Sequence, residues 1–330
     1  MITLDTHAHW FPPEWVDTIE REGPKNGVEV TRNDQGRLVA SMPGVRLRPN
    51  LTPPYIEIPY RLKLMDDARV DMHALSLTSP MVHWAPPEFG AKLAQVFNDG
   101  CARVHEQYPK RFIGMATLPM QAPALAVAEV KRAARLLGIR GVYLPTHIQG
   151  KNLDEKEFWP VYEQCEKLNL PIFLHPVAPV GKERMMKYHL GNFLGNPYES
   201  GIAAASLVFG GVMDAFPKLD VMLPHAGGSF PWLIGRMDHG TTVRAECKHM
   251  TQPPSSYLRR FHYDTITHSD KILMNLIELV GVDRVVMGSD CPADMSYTQP
   301  VAVLDRLKDL SSNERDAIVG GNAAKLLRMA

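Results

Sequence analysis

The chain is poor in the features that mark several large protein classes. It has 4 cysteines in 330 residues, Cys101, Cys165, Cys247 and Cys291, and no Cys-x-x-Cys pair. Spacings this wide argue against a disulfide framework and exclude a structural zinc knuckle, so the expectation is reduced thiols in a cytoplasmic protein. There is no excess of either charge: Lys+Arg and Asp+Glu both number 36, for a net charge of zero. That leaves neither a nucleic-acid-binding face nor a polybasic membrane anchor. The longest apolar region, Gly201 to Phe216, is broken by Asp214. It is too short for a membrane span and reads as a buried helix. No basic stretch followed by an apolar one opens the chain, so no signal peptide is expected. No Gly-x-Gly-x-x-Gly follows a strand-like run, and no nucleotide or organic cofactor is expected. Solenoid repeats and low-complexity tracts are also absent.

What is present is an ordinary globular composition, 45% apolar and 22% charged, over a length that can bury a large core. Short β-branched and apolar runs recur at Ile2–Thr6, Met72–Thr78, Phe112–Leu118, Gly141–Pro145, Pro171–His175, Leu219–His225, Phe261–Ile266 and Arg284–Gly288. Helical patterns lie between most of them. In Gly90–Tyr108 the apolar residues Leu93, Val96, Phe97, Cys101 and Val104 follow a helical period. Ala122–Leu137, Glu157–Leu168 and Lys271–Val280 also read as helices. Strands alternating with helices predict an α/β fold, a (β/α)8 TIM barrel, as one domain over 1–330. An open doubly wound sheet is the structural rival. Residues 11–60, rich in Pro, Gly, Asn and Arg, break the alternation. Within them Val28–Val30 and Leu38–Met42 flank Asn33-Asp34-Gln35-Gly36 and predict a small hairpin. The segment is expected to be a small β-containing subdomain inserted after strand one, over the C-terminal face where barrel active sites sit.

That face collects the chemistry. Strand one carries Asp5, His7 and His9 at alternate positions, hence on one side of a strand. Strand five ends in Leu174-His175-Pro176, strand six in Pro224-His225-Ala226-Gly227-Gly228 and strand eight in Gly288-Ser289-Asp290-Cys291-Pro292. Neutral imidazoles and a carboxylate can bind a divalent ion and leave a position for water or substrate. Such an ion lowers the pKa of bound water to about 7. A histidine outside the ligand set can then move a proton near neutral pH.

Together these residues resemble the amidohydrolase superfamily, and within it the branch typified by 2-amino-3-carboxymuconate-6-semialdehyde decarboxylase. The similarity runs nearly end to end, through His9-Trp10-Phe11-Pro12, Arg48-Pro49, Leu64-Met65-Asp66, Leu233-Ile234-Gly235-Arg236-Met237-Asp238 and Gly321-Asn322. The resemblance implies one divalent metal ion, usually Zn2+ with Mn2+ as the other option, held by His7, His9, His175 and Asp290. It implies His225 as the acid/base that activates metal-bound water. Many binuclear relatives carry a carboxylated lysine at the end of strand four. Here that strand ends Tyr143-Leu144-Pro145-Thr146-His147, which favours a single ion. His147 is a spare candidate beside the site or, as the preferred reading, a loop cap, and Asp5 reads as a residue that orients a ligand or a backbone group.

The resemblance further implies that Arg48 binds the substrate carboxylate and that Arg236 is donated by a neighbouring subunit, in a homodimer or larger homo-oligomer. Guanidinium groups suit that work because they grip carboxylates with two donors. Tyr188 and Phe193, with Asn192 beside them, fall where the family example has loop aromatics that frame the substrate. There are departures. A lysine that precedes the Arg-Pro pair in the family example has no counterpart in Ser41-Met42-Pro43-Gly44-Val45-Arg46, and His268 lies near the site after strand seven. The residues framing the organic substrate therefore differ more than those framing the metal. The implied function is non-oxidative decarboxylation of a small unsaturated or aromatic carboxylic acid. The alternative is a metal-dependent hydrolase, hydratase or deaminase acting on a related aromatic-catabolism intermediate, since one fold and metal site host several reactions.

Overall fold

The eight apolar runs form one parallel sheet. In the computed structural model, which describes residues 2–44 and 49–329, the strands are β1 (Leu4–His9), β2 (Met72–Ser76), β3 (Phe112–Thr117), β4 (Ile139–Pro145), β5 (Ile172–His175), β6 (Val221–Leu223), β7 (Phe261–Asp264) and β8 (Val285–Val286). Each pairs with its sequence neighbour. The first and last edges meet as well. Thr6 N donates to Met287 O at 3.0 Å, Asp290 N donates to His7 O at 2.9 Å, and Ala8 bridges Cys291 in parallel. The sheet is thus a nearly closed barrel, and the open doubly wound alternative is overturned by those bonds between β1 and the chain after β8.

The barrel interior is filled. Leu4, Met72, Ile113, Met115, Phe173 and Met222 form a buried cluster of their own, a packed core as expected for eight strands. The outer helices α1 (Pro13–Glu22), α2 (Ile58–Asp67), α3 (Pro87–Gln107), α4 (Pro123–Ala133), α5 (Trp159–Lys167), α6 (Asn196–Phe209), α7 (Ile234–Val243) and α8 (Asp270–Val280) follow in chain order. Proline opens α1, α3 and α4, where its missing N–H has no intrahelical partner to lose. Helix α3 buries Leu93, Phe97, Cys101 and Val104 against the sheet, with Val96 half-buried at the edge of that stripe. Gly201–Phe216, expected as one buried helix, is divided between α6 and a short helix, Val212–Ala215, at Gly211 with φ +76°. No helix among the described residues is long and apolar enough to cross a membrane.

Residues 11–60 are more ordered than their composition predicts. The hairpin is present, with Glu29–Arg32 antiparallel to Leu38–Ser41. Asn33 Oδ1 accepts from the amides of Gln35 and Arg37, both at 3.0 Å, and closes the turn. Helix α1, within the segment expected to be a small β-containing insertion, precedes it. Its Trp15 and Ile19 are buried, and it packs on α3. Arg48 lies outside the described residues.

Candidate metal centre

Five side chains from four strand ends meet at the C-terminal rim. His7 and His9 come from β1, His175 from the last position of β5, His225 from two residues after β6, and Asp290 from the loop after β8. Donor atoms of His7, His175, His225 and Asp290 all lie within 4.8 Å of one another. His9 Nε2 is 2.9 Å from Asp290 Oδ1. The ring centroids of His9 and His175 are 4.8 Å apart and those of His7 and His225 5.3 Å apart. The structure therefore brings together all five residues that the sequence nominated.

Three of the imidazoles are fixed from behind. His7 Nδ1 donates to Asp264 Oδ2 at 2.9 Å. His9 Nδ1 donates to Ser76 Oγ at 3.0 Å, and that hydroxyl spends its own proton on Ala8 O at 3.1 Å. His175 Nδ1 donates to Pro176 O at 3.0 Å. Each bond leaves Nε2 of its ring as a lone pair turned inward. His225 differs, because its Nδ1 is buried without a hydrogen-bond partner among the described residues.

Electrostatics suit this arrangement to a cation. Burial pushes His9 down to about 4, so it is neutral near pH 7. Burial also works against charge on Asp290, yet its contacts with His9 and the neighbouring imidazoles hold its carboxyl below the usual range. A neutral Nε2 lone pair then faces an ionised oxygen 2.9 Å away, two acceptors with no proton between them. His7 Nε2 is buried 3.4 Å from the same oxygen and makes no hydrogen bond. Ligand atoms about 2.0–2.2 Å from one ion would sit about 3 Å apart, so a divalent cation resolves both contacts. Burial holds His175 well below, and His225 below, their ordinary values, which keeps both rings available as bases or ligands. His7 is raised, since the carboxylates of Asp264 and Asp290 outweigh its burial.

Residues that sequence reasoning passed over hold this geometry. Asp264, the last residue of β7, is fully buried and accepts from the His7 ring and from the amides of His225 (2.9 Å), Ala226 (2.8 Å) and Ile266 (3.1 Å). The rule that singled out the other strand ends applies equally to β7, so the signal was there. Arg61 is also fully buried; its guanidinium donates to His9 O and, at 2.9 Å, to Pro54 O. It comes from the middle of α2, where nothing in the sequence marks it. Asp5 takes the orienting role expected of it: Oδ1 accepts the amides of His7 and Ser289, both at 3.0 Å, and Oδ2 accepts the Ser289 hydroxyl. His147 caps its own loop, accepting from Gly150 N at 3.1 Å.

Backbone conformation is unusual where the chemistry is. His225, Ala226 and Asp290 have φ of +52°, +56° and +66°, a region that side chains other than glycine rarely occupy. Gly228 completes the turn at φ +58°, and a Cβ there would stand 2.1 Å from Pro197 O. One consequence of this framework is testable directly. Ser76→Ala removes the acceptor that orients His9 and is expected to weaken divalent-metal binding about ten- to a hundredfold. Competition against a chromophoric chelator measures this, and unchanged affinity would show that the hydroxyl does not position the ring.

Beside the centre lies a cavity of about 270 Å3, bounded by Phe193, Trp232, Ile266, His268 and Met295, with His225 and Asp290 at its inner end. Phe193 sits on a π-helical turn, Gly191–Gly195. A second cavity of about 290 Å3 lies on the β2, β4 and β5 side of the rim, where Pro43 and Gly44 of the hairpin's C-terminal arm meet Trp84, His147 and Val177. Tyr188 is 79% exposed in the loop after β5 and borders neither of these cavities. Arg236 is exposed on α7, and no carboxylate among the described residues pairs with it.

Comparisons with known proteins agree with this picture. A family model described as amidohydrolase matches residues 4–329. The 2-amino-3-carboxymuconate-6-semialdehyde decarboxylase of Dictyostelium discoideum is 33% identical over 332 residues, covering 99% of this chain and 91% of the relative. The crystal structure of 5-carboxyvanillate decarboxylase from Sphingomonas paucimobilis superposes with a TM-score of 0.85 at 27% identity, over 99% of each chain. The structure of a dihydroxybenzoic acid decarboxylase from Polaromonas sp. JS666, which has manganese bound, superposes with a TM-score of 0.81 at 24% identity, over 99% of this chain and 97% of that one.

Proposed function

The chain belongs to the amidohydrolase family, and on that basis we propose that it is a metal-dependent, non-oxidative decarboxylase of a small unsaturated or aromatic carboxylic acid. The observation that carries the reading is the division among the four histidines. His7, His9 and His175 each have Nδ1 tied to an acceptor and Nε2 turned inward, whereas His225 has an untied buried Nδ1. Ligating histidines characteristically donate their second nitrogen in this way. We therefore assign His7, His9, His175 and Asp290 as ligands of one divalent ion, and His225 as the residue that moves protons. Zinc and manganese both suit such nitrogen and oxygen donors. When bound, the ion would supply positive charge against the anionic substrate and acidify water at the site.

The remaining work falls to the chain. His225, neutral through burial, accepts a proton and passes it to the substrate carbon that bears the carboxylate. That carbon becomes tetrahedral, the bond to the carboxylate breaks, carbon dioxide leaves, and the electron pair returns to the conjugated system. The new C–H bond replaces the lost C–C bond, so one proton is consumed per turnover. Phe193 and Trp232 offer aromatic walls for a planar substrate. Arg48 is assigned to the substrate carboxylate. Arg236 is assigned to the same anion in a partner subunit, its exposure and lack of a pair on α7 being consistent with donation across a homodimer. Tyr188, in the exposed loop after β5, is assigned to the outer edge of the substrate site. We read residues 11–60 as an insertion that covers the rim of a single catalytic domain, supported by Pro43 and Gly44 lining the second cavity. The four free cysteines are in keeping with a cytoplasmic location.

The test is a screen of hydroxylated aromatic acids and muconate semialdehydes with enzyme stripped by chelator and reloaded with zinc or manganese. Carbon dioxide release is expected only after reloading. Incorporation of oxygen from labelled water without carbon dioxide would instead establish hydrolysis or hydration.

A further inference from the structure

His268 has no part in the chemistry described so far. It follows β7, and its backbone is held at φ +54°, a conformation that places its ring on the wall of the 270 Å3 cavity that ends at His225 and Asp290. The ring is exposed and packs on Tyr297 with centroids 4.8 Å apart. Neither ring nitrogen hydrogen-bonds to another described residue. The surrounding wall is mixed, with apolar Phe193, Trp232 and Ile266 beside polar Asn192, Asn196 and Thr267. An imidazole with both nitrogens uncommitted, steadied by an aromatic ring and set opposite aromatic side chains, is a directional hydrogen-bonding point in a cavity whose aromatic faces suit a flat ring.

We propose that His268 is a specificity-determining residue that hydrogen-bonds a hydroxyl or oxo substituent of the substrate, so that the site selects hydroxylated unsaturated acids over unsubstituted ones. This rests on the carboxylate-binding reading given above and deepens it. His268 touches no reacting atom in this scheme. It positions the ring so that the carboxylate-bearing carbon faces His225, while the aromatic faces supply affinity common to both kinds of acid.

The experiment measures binding and needs no turnover. Metal-loaded full-length protein is titrated calorimetrically with benzoate and with each of the three monohydroxybenzoates. At least one hydroxybenzoate is expected to bind about tenfold more tightly than benzoate, the increment of one well-made hydrogen bond. His268→Ala is expected to abolish that preference while leaving the benzoate Kd unchanged, and His268→Asn, which keeps a donor and an acceptor, to restore much of it. With an acid that is turned over, His268→Ala should raise KM and lower kcat, and His268→Asn should recover much of both. The proposal is overturned if no hydroxybenzoate outbinds benzoate, or if His268→Ala weakens all four acids equally. Failure of the decarboxylase reading would show separately, as absence of carbon dioxide release with the binding preference intact.

Discussion

His225→Ala is expected to lower carbon dioxide release by about 10²–10⁴-fold, the range of a single positioned acid–base group, while metal content stays at the wild-type level. The expectation follows from how the ring is held. Its neighbours His7, His9 and His175 are anchored through Nδ1, so the inward lone pairs of those three survive the loss of His225. The main chain of residues 225 and 226 is fixed independently, through amides that Asp264 accepts at 2.9 and 2.8 Å, so the turn should persist without the imidazole. Metal analysis by mass spectrometry alongside turnover separates the possibilities. Full activity in the variant would remove His225 from proton transfer. Loss of metal together with activity would place it among the ligands, since its donor lies within 4.8 Å of those of His7, His175 and Asp290.

The second large effect is expected at a residue that touches neither metal nor substrate in this scheme. Asp264→Asn should weaken metal binding about ten- to a hundredfold and depress turnover further than that loss explains. An asparagine oxygen can still accept two of the bonds, but its NH2 group would face either the His7 Nδ1–H together with the His225 amide, or the amides of Ala226 and Ile266, and donor against donor is repulsive. Relief requires His7 to take its other tautomer, which puts a proton on the Nε2 meant for the ion, or requires the turn carrying His225 to shift. The two routes differ in readout. A tautomer change appears as weaker metal binding in competition titrations, and a shifted turn as low kcat in metal-saturated enzyme. Wild-type metal affinity and kcat together would show that Asp264 is not the support shared by the two.

Much of the fold could be read without coordinates because its causes are local. Runs such as Phe112–Leu118 and Pro171–His175 are apolar on both faces, as strands buried inside a ring of helices must be, and the 3.6-residue period in Leu93, Phe97, Cys101 and Val104 marks the inner face of α3. Residues 11–60 were harder. Their Pro and Gly content breaks the strand–helix alternation and predicts only a hairpin, but Pro13 begins α1, and the burial of Trp15 and Ile19 against α3 outweighs local propensity.

At the centre, sequence alone determined which residue types stand at the strand ends and hence that His7, His9, His175, His225 and Asp290 meet on one rim. Alternation along a strand and the parallel order of a barrel are sufficient for that. Only the tertiary structure decided how those residues differ. Each histidine's character depends on what its second nitrogen meets: Asp264 from 257 positions away for His7, Ser76 from 67 positions away for His9, the adjacent Pro176 carbonyl for His175, and nothing among the described residues for His225. Likewise the burial of Arg61 against the backbone of His9, and the left-handed turns at His225 and Asp290, arise from strand register and loop closure. A hydrogen bond depends on distance and direction between atoms, and for residues far apart in the chain those are set only when the barrel closes.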